Sequence, residues 1–338
     1  RRLNMARFVG DQNRLTFAYE SGTYANPTGT TLQWVGLVTS HELDENPNVL
    51  EIRYANTGNR NVGLFVDGPL DYEGTFTFHP QQWEMMVFAL GSNVDGGSPS
   101  PYSHTISEVN SASGNAFTSG TLLPFMSFTI EDWKQGPVTG ENFGRRVQGC
   151  IVNSLAINGA EGEPLSVEVN YFAQSGTFLS GALPTIEADP GTVPFLWQHC
   201  QIHIPSGTIY NEVKEFSWNI NNNLERRHYL NGSRVASIPV PLNRDYEFSV
   251  TLDATSERTN TLYNQYFLGG STFNAMLSII ASTGSREMFL VMSGCKMLDM
   301  TSSSPMEGVQ EQTLTIKPQT CSAVVSDTTQ YLNPWNPT

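Results

Sequence analysis

The chain has 338 residues, of which 39% are hydrophobic and 11% aromatic, and its 29 Gly and 19 Pro make it rich in turns. Only 15% of residues are charged, 32 acidic against 18 basic, for a net charge of -14. That balance excludes a basic reader of nucleic acid, which needs Lys and Arg to neutralise phosphates, and the aromatic content excludes a disordered acidic chain.

At about 150 residues per domain, the length predicts two domains. Cys150, Cys200, Cys295 and Cys321 lie far apart without a CxxC, so they read as buried thiols rather than a zinc knuckle or disulfide framework. No run of 18 apolar residues occurs, and Arg1-Arg2-Leu3-Asn4-Met5 is not followed by an apolar stretch. A soluble protein with no signal peptide or membrane span, assembled in a cytoplasm, is expected.

In chain order, an N-terminal arm is expected over 1–32 and a first domain over 33–175. Alternation of apolar residues predicts strands at Phe76 and Phe78, Met126 to Ile130, and Leu165 to Val169. Trp83, Met86, Val87 and Leu90 have helical spacing, and Gly91 stops that helix. The stretch 93–121, rich in Gly, Ser and Asn, reads as an inserted surface loop or flap. Pro184, Pro190, Pro194 and Pro205 mark a linker over 176–206. A second domain over 207–320 has strands at Phe216 to Ile220, Phe248 to Leu252, and Leu314 to Ile316, with a helix at Leu262 to Phe267. Residues 321–338 are left as a C-terminal tail. The fold class is all-β with minor α: two tandem β-sheet or barrel domains, each with one packed helix.

The two domains repeat each other. Shifted by 174 positions, residues 48–78 fall on 222–252 with eleven identities in 31, among them Leu50/Leu224, Glu51/Glu225, Arg53/Arg227, Arg60/Arg234 and Asp71/Asp245. Further on, Phe125-Met126-Ser127-Phe128 aligns with Ala275-Met276-Leu277-Ser278, and Gly149-Cys150 with Gly294-Cys295. A repeat of this size is a duplicated domain rather than a solenoid unit. Within each copy the most polar stretch, 44–68 or 219–243, has the composition of a long hairpin or arm. It is kept between copies better than the core strands, so both copies use it for similar contacts.

Catalytic and ligand-binding patterns are weak. His199-Cys200-x-x-His203 is the best metal candidate, yet on a strand Cys200 points away from both histidines, so the pair reads as loop histidines. None of the six histidines lies in a nucleophile-base context. Adjacent carboxylates such as Glu131-Asp132 would face opposite ways on a strand, and the Gly pairs lack the Lys of a phosphate loop. Asn231-Gly232-Ser233 reads as a hairpin turn. No enzyme, cofactor or metal is expected.

Three stretches carry a resemblance: Phe8-Val9-Gly10-Asp11-Gln12-Asn13-Arg14-Leu15-Thr16-Phe17, Phe216-Ser217-Trp218-Asn219-Ile220-Asn221-Asn222-Asn223-Leu224, and Asp245-Tyr246-Glu247. The chain resembles the tail tube (major tail) proteins of long-tailed viruses of bacteria and archaea, the first stretch being similar to their entry arm and the others to their tube domain. The resemblance implies a sheet around a central channel, an outer helix, and an arm reaching the neighbouring ring. Family rings hold six such domains, so two fused copies imply a homotrimer with pseudo-sixfold symmetry.

The function expected is a structural virion protein whose stacked rings form a passive, negatively lined conduit for the genome. Acidic walls let DNA slide past without sticking. Inter-ring and subunit contacts are expected at Asn48, Leu50, Glu51, Arg53, Arg60, Asn222, Leu224, Glu225, Arg227 and Arg234. Expected partners are further copies of the chain, tape-measure, terminator and tail-tip proteins, and viral DNA passing without specific binding, with no membrane. The alternatives are a distal-tail, terminator or hub protein forming a single ring, and a carbohydrate-binding β-sandwich.

Overall fold

Two layers of antiparallel strands, joined by two long strands that run through both, make up the computed structural model. It describes residues 13–328 apart from 21–23, 27–31, 55–60, 97–100, 110–115, 118–120, 123–125, 137–141, 187–188, 256–259, 282–285 and 304–305. The first half of the chain forms β1 (Asn13–Tyr19), β2 (Gln33–Trp34), β3 (Leu37–Asn46), β4 (Leu50–Ile52), β5 (Leu64–Val66), β6 (Asp71–His79) and helix α1 (Glu84–Leu90). It continues through β7 (Gly91–Gly96), β8 (Tyr102–Glu108), β9 (Ala116–Phe117), β10 (Thr121–Leu122), β11 (Phe128–Lys134), β12 (Phe143–Ala160), β13 (Ser166–Ala173) and β14 (Ser175–Ser180). The second half forms β15 (Cys200–His203), β16 (Ile209–Tyr210), β17 (Val213–Asn221), β18 (Leu224–Glu225), β19 (Val240–Pro241) and β20 (Asp245–Asp253). After a π-helical segment, Leu262–Leu268, come β21 (Phe273–Ile280), β22 (Glu287–Ser303), β23 (Glu311–Lys317) and β24 (Thr320–Asp327).

The first layer is one antiparallel ladder in the order β3-β6-β13-β12-β17-β20-β23-β22. Its period-two pattern buries Phe76, Val169, Leu155, Trp218, Phe248 and Leu314 on one face and leaves polar residues on the other. The second layer holds two sheets, β2-β1-β11-β12-β14 and β16-β15-β21-β22-β24-β8-β7. β12 and β22 cross between layers just after Gly149 and Gly294, whose φ of 68° and 63° suit glycine. A Cβ on Gly149 would also lie 2.8 Å from the Tyr24 ring.

Ladder irregularities recur between the halves. β3 and β6 shift register between Val38 and Ser40, and β17 and β20 between Val213 and Glu215. The β11–β12 shift at Phe128/Ile130 returns in β21–β22 at Phe273/Ala275, and the β12–β13 shift at Val152/Ser154 returns in β22–β23 at Met297/Asp299. Phe128 therefore matches Phe273 in the fold, and the alignment of 125–128 with 275–278 is corrected; Gly149-Cys150 and Gly294-Cys295 match as expected.

One continuous core fills the space between the layers and includes residues of both halves. α1 lies wholly inside it, with Phe88 4.7 Å from Phe128 and 5.8 Å from Phe17 between ring centroids, and Gly91 (φ 104°) ends the helix as the spacing predicts. In the second half the expected helix is a π-helical segment that buries Leu262 and Tyr266 but leaves Tyr263 exposed.

Several expected boundaries move. Residues 13–19 are not a free arm: β1 pairs along its whole length with β11. The inserted stretch begins as the β7–β8 hairpin, which pairs with β24 and extends the second half's sheet. Residues 176–180, expected in the linker, belong to β14 on β12, and Cys200–His203 pairs with β21. The expected C-terminal tail opens with β24, which pairs with both β22 and β8. Cys150, Cys295 and Cys321 are buried and Cys200 is half-buried.

Candidate assembly interface

The two halves join strand to strand. β12 pairs with β17 from Ser154↔Asn221 to Ala160↔Glu215, so the first half's last ladder strand carries the second half's first. Asn222, just past that junction, is fully buried: its Nδ2 donates to Ala89 O at 3.1 Å and Val152 O at 3.0 Å, and its Oδ1 accepts from Arg244 Nε at 2.9 Å. It ties α1 to the junction from inside. The expectation that Asn222 contacts another subunit is corrected, because no part of it reaches the surface.

A hairpin leaves each half at corresponding ends. β4 and β5 form the first, and β18 and β19 the second. At the base of the first, Asn48 Nδ2 donates to Pro69 O at 3.0 Å and Asp71 Oδ2 at 2.6 Å. At the base of the second the same work is done by Asn223, not Asn222: its Nδ2 donates to Asn243 O at 2.6 Å and Asp245 Oδ2 at 3.1 Å.

The second hairpin folds back onto the first half. Arg226 lies 3.9 Å from the Phe172 ring centroid, pairs with Glu73 at 2.5 Å, and approaches Asp71 at 3.6 Å. His228 Nε2 meets Asp71 at 3.0 Å. Arg234 donates from Nε to Gly68 O at 2.6 Å and pairs with Asp67 at 3.1 Å, while its own carbonyl accepts from Leu70 N at 2.8 Å. Burial would raise the Asp71 carboxyl, but the hydrogen bonds from His228 and Asn48 and the charge of Arg226 outweigh it and hold it below the usual carboxylate range.

The remaining expected contact residues divide between surface and interior. Leu50, Glu51 and Arg53 are exposed on the first hairpin, with Arg53 3.3 Å from Glu51. Glu225 and Arg227 repeat that ion pair at 3.0 Å on the second. Leu224 is buried against Ile151, beside Phe172 and Ile238. Arg60 lies outside the described residues. Arg226 and His228 were not singled out by sequence, although the Arg226-Arg227 doublet and the Asp71-Tyr72-Glu73 entry are complementary in charge.

The outward face of the eight-stranded ladder is polar and acidic. Glu42, Glu73, Glu168, Glu215, Glu247 and Asp299 project from it and are exposed, and Lys317 there is paired with Asp245 at 2.8 Å. Of the metal candidate, His199 Nδ1 accepts from Leu196 N at 3.1 Å, and Cys200 and His203 sit on β15. Burial alone pushes the Cys200 thiol up to about 12. Among the described residues no group of three His, Cys, Asp or Glu could hold a metal ion.

Residues 10–318 match the family described as phage tail tube protein. The chain belongs to that family. No curated protein matches it. Membership of the tail tube family makes the chain a structural protein of the virion tail, one that self-assembles into a tube with other tail proteins. The all-β architecture with minor α is the fold expected of it. No helix among the described residues is long and apolar enough to cross a membrane.

Proposed function

We propose that three copies of this chain close into a ring with pseudo-sixfold symmetry, and that such rings stack into a passive conduit through which the viral genome leaves the capsid. The observation that carries this reading is the β12–β17 junction. It joins the halves by main-chain pairing and, among the described residues, leaves the ladder with two free edges, β3 and the C-terminal part of β22. Those edges hold the places in the ladder that β17 and β12 hold at the junction. Exposed edges are an aggregation hazard unless paired, and closure removes them.

Transferring the junction's register sets Asp299 opposite Asn46, Met300 opposite Glu45, Thr301 opposite Asp44, Ser302 opposite Leu43 and Ser303 opposite Glu42. No like charges oppose each other in that pairing, which favours it. The recurring register shifts support the two-copy duplication that a ring of three requires. Acidic residues on the outward ladder face support a lumen wall that repels phosphates. Tape-measure, terminator and tail-tip proteins are the proposed tail partners, and assembly takes place in the host cytoplasm. The chain has no catalytic role in this reading.

The test joins the free edges. With Asp44→Cys and Thr301→Cys in one chain, oxidation of assembled protein is expected to give covalent trimers that close and grow no further. Assembled tubes that give no cross-link would refute the edge pairing.

A further inference from the structure

The two hairpins differ in one respect. The second is seated on the first half, whereas the first keeps its apolar side chains in solvent: Val49, Leu50, Ile52, Leu64 and Phe65 are all exposed, Leu50 at 53% and Phe65 at 64%. Leu224, which matches Leu50 in sequence, is 9% exposed because it packs against Ile151. A cluster of exposed apolar residues on a two-stranded hairpin marks an interaction surface.

The ladder says where such a hairpin sits. The second hairpin's seat contains Asp71, Glu73, Gly68 and Asn153, the last accepting from Leu224 N at 2.9 Å. Carried along the repeated register, these positions fall on Asp245, Glu247, Leu242 and Leu298 of the second half. Both acids are kept, and both are exposed. The two neutral positions have become apolar and open, with Leu242 57% and Leu298 54% exposed. That change matches the hairpin: the first is more apolar than the second, and the second-half seat is more apolar than the first-half one.

We propose that the hairpin β4–β5 docks on the second half of a neighbouring copy of the same chain within the ring, with Leu50 against Leu298. The hairpin then acts as a lateral clasp between ring neighbours, repeating between chains the contact that Leu224 makes within one. This replaces the expected inter-ring role for Leu50, and it rests on the ring proposed above.

Cysteine pairing separates the possibilities. Tubes of a Leu50→Cys, Leu298→Cys double variant, oxidised and run without reductant, are expected to give a ladder that stops at three chains. A ladder that runs on past three would mean that the hairpin joins successive rings, and would overturn the lateral clasp. No cross-link, in tubes where Asp44→Cys and Thr301→Cys do close trimers, would overturn the clasp and leave the ring standing. Failure of both pairs in assembled tubes would remove the ring and the clasp with it.

Discussion

Asn48 and Asn223 hold the same left-handed backbone, φ 44° and 46°, and each donates from Nδ2 to a carbonyl and a carboxylate across the base of its hairpin. Each backbone N–H also bonds an Asn side chain two residues earlier, at 2.9 Å in both cases. Asn tolerates positive φ better than Ala does, while Gly adopts it freely. Asn48→Ala and Asn223→Ala are therefore expected to destabilise by about 1–2 kcal/mol each, and the Gly variants by less. Thermal unfolding checks the order; equal losses for Ala and Gly would show that the side-chain bonds, not the turn, set the energy.

Arg226 and Arg227 are neighbours with different roles. Arg226 stacks on Phe172, pairs with Glu73 and is mostly buried, whereas Arg227 pairs locally with Glu225 and Tyr229 at the surface. Arg226→Ala should cost about 1–3 kcal/mol and raise hydrogen exchange across 224–241, since it loses a cation–π contact and a charge-assisted bond together. Arg227→Ala should leave unfolding unchanged.

Glu20 is fully buried and accepts four hydrogen bonds: Ser127 Oγ at 2.6 Å and Ala25 N at 2.9 Å on Oε2, and Thr129 Oγ1 and Gly149 N, both at 2.7 Å, on Oε1. Both oxygens face a backbone N–H, so in Glu20→Gln the amide nitrogen opposes a donor whichever way it turns. Gln is expected to be nearly as damaging as Ala, with losses of about 3 kcal/mol or more in denaturant unfolding. A Gln variant of native stability would contradict the assigned acceptor role.

Strand alternation at Phe216, Trp218 and Ile220 and the helix stop at Gly91 were legible because burial writes them directly into the sequence. Glu20 was not, since its partners other than Ala25 lie more than a hundred positions away. Asn221, Asn222 and Asn223 are identical letters, and only the backbone shows that the third closes the turn while the second is buried. β14, β7 and β8 are rich in Gly, Ser and Thr, a composition shared by polar edge strands and loops, so pairing with β12 or β24 decided what composition could not. The hairpins were expected as contact elements, but the fold of the second onto its own chain depends on Arg226 and Phe172 meeting across the junction.

His104 is buried between two carboxylates, with Nδ1 2.7 Å from Asp95 and Nε2 3.4 Å from Asp327. Burial would lower the imidazole, but hydrogen bonds and charge from Asp327 and Asp95 outweigh it, so it stays above its ordinary value of 6.5 in the fold. A raised folded value contributes stability that is full below about pH 6.5 and is lost as pH rises through the folded value. The β8–β24 seam should therefore loosen on the alkaline side. Hydrogen exchange of β24 measured across that range should show the loss, and His104→Gln should abolish its pH dependence.

Electron microscopy of assembled protein tests the ring most directly. Hollow tubes are expected, each ring containing three chains, with eight ladder strands per chain around the lumen and β3 of one chain beside β22 of the next. Rings of six chains, or rings in which those two edges do not meet, would contradict the account.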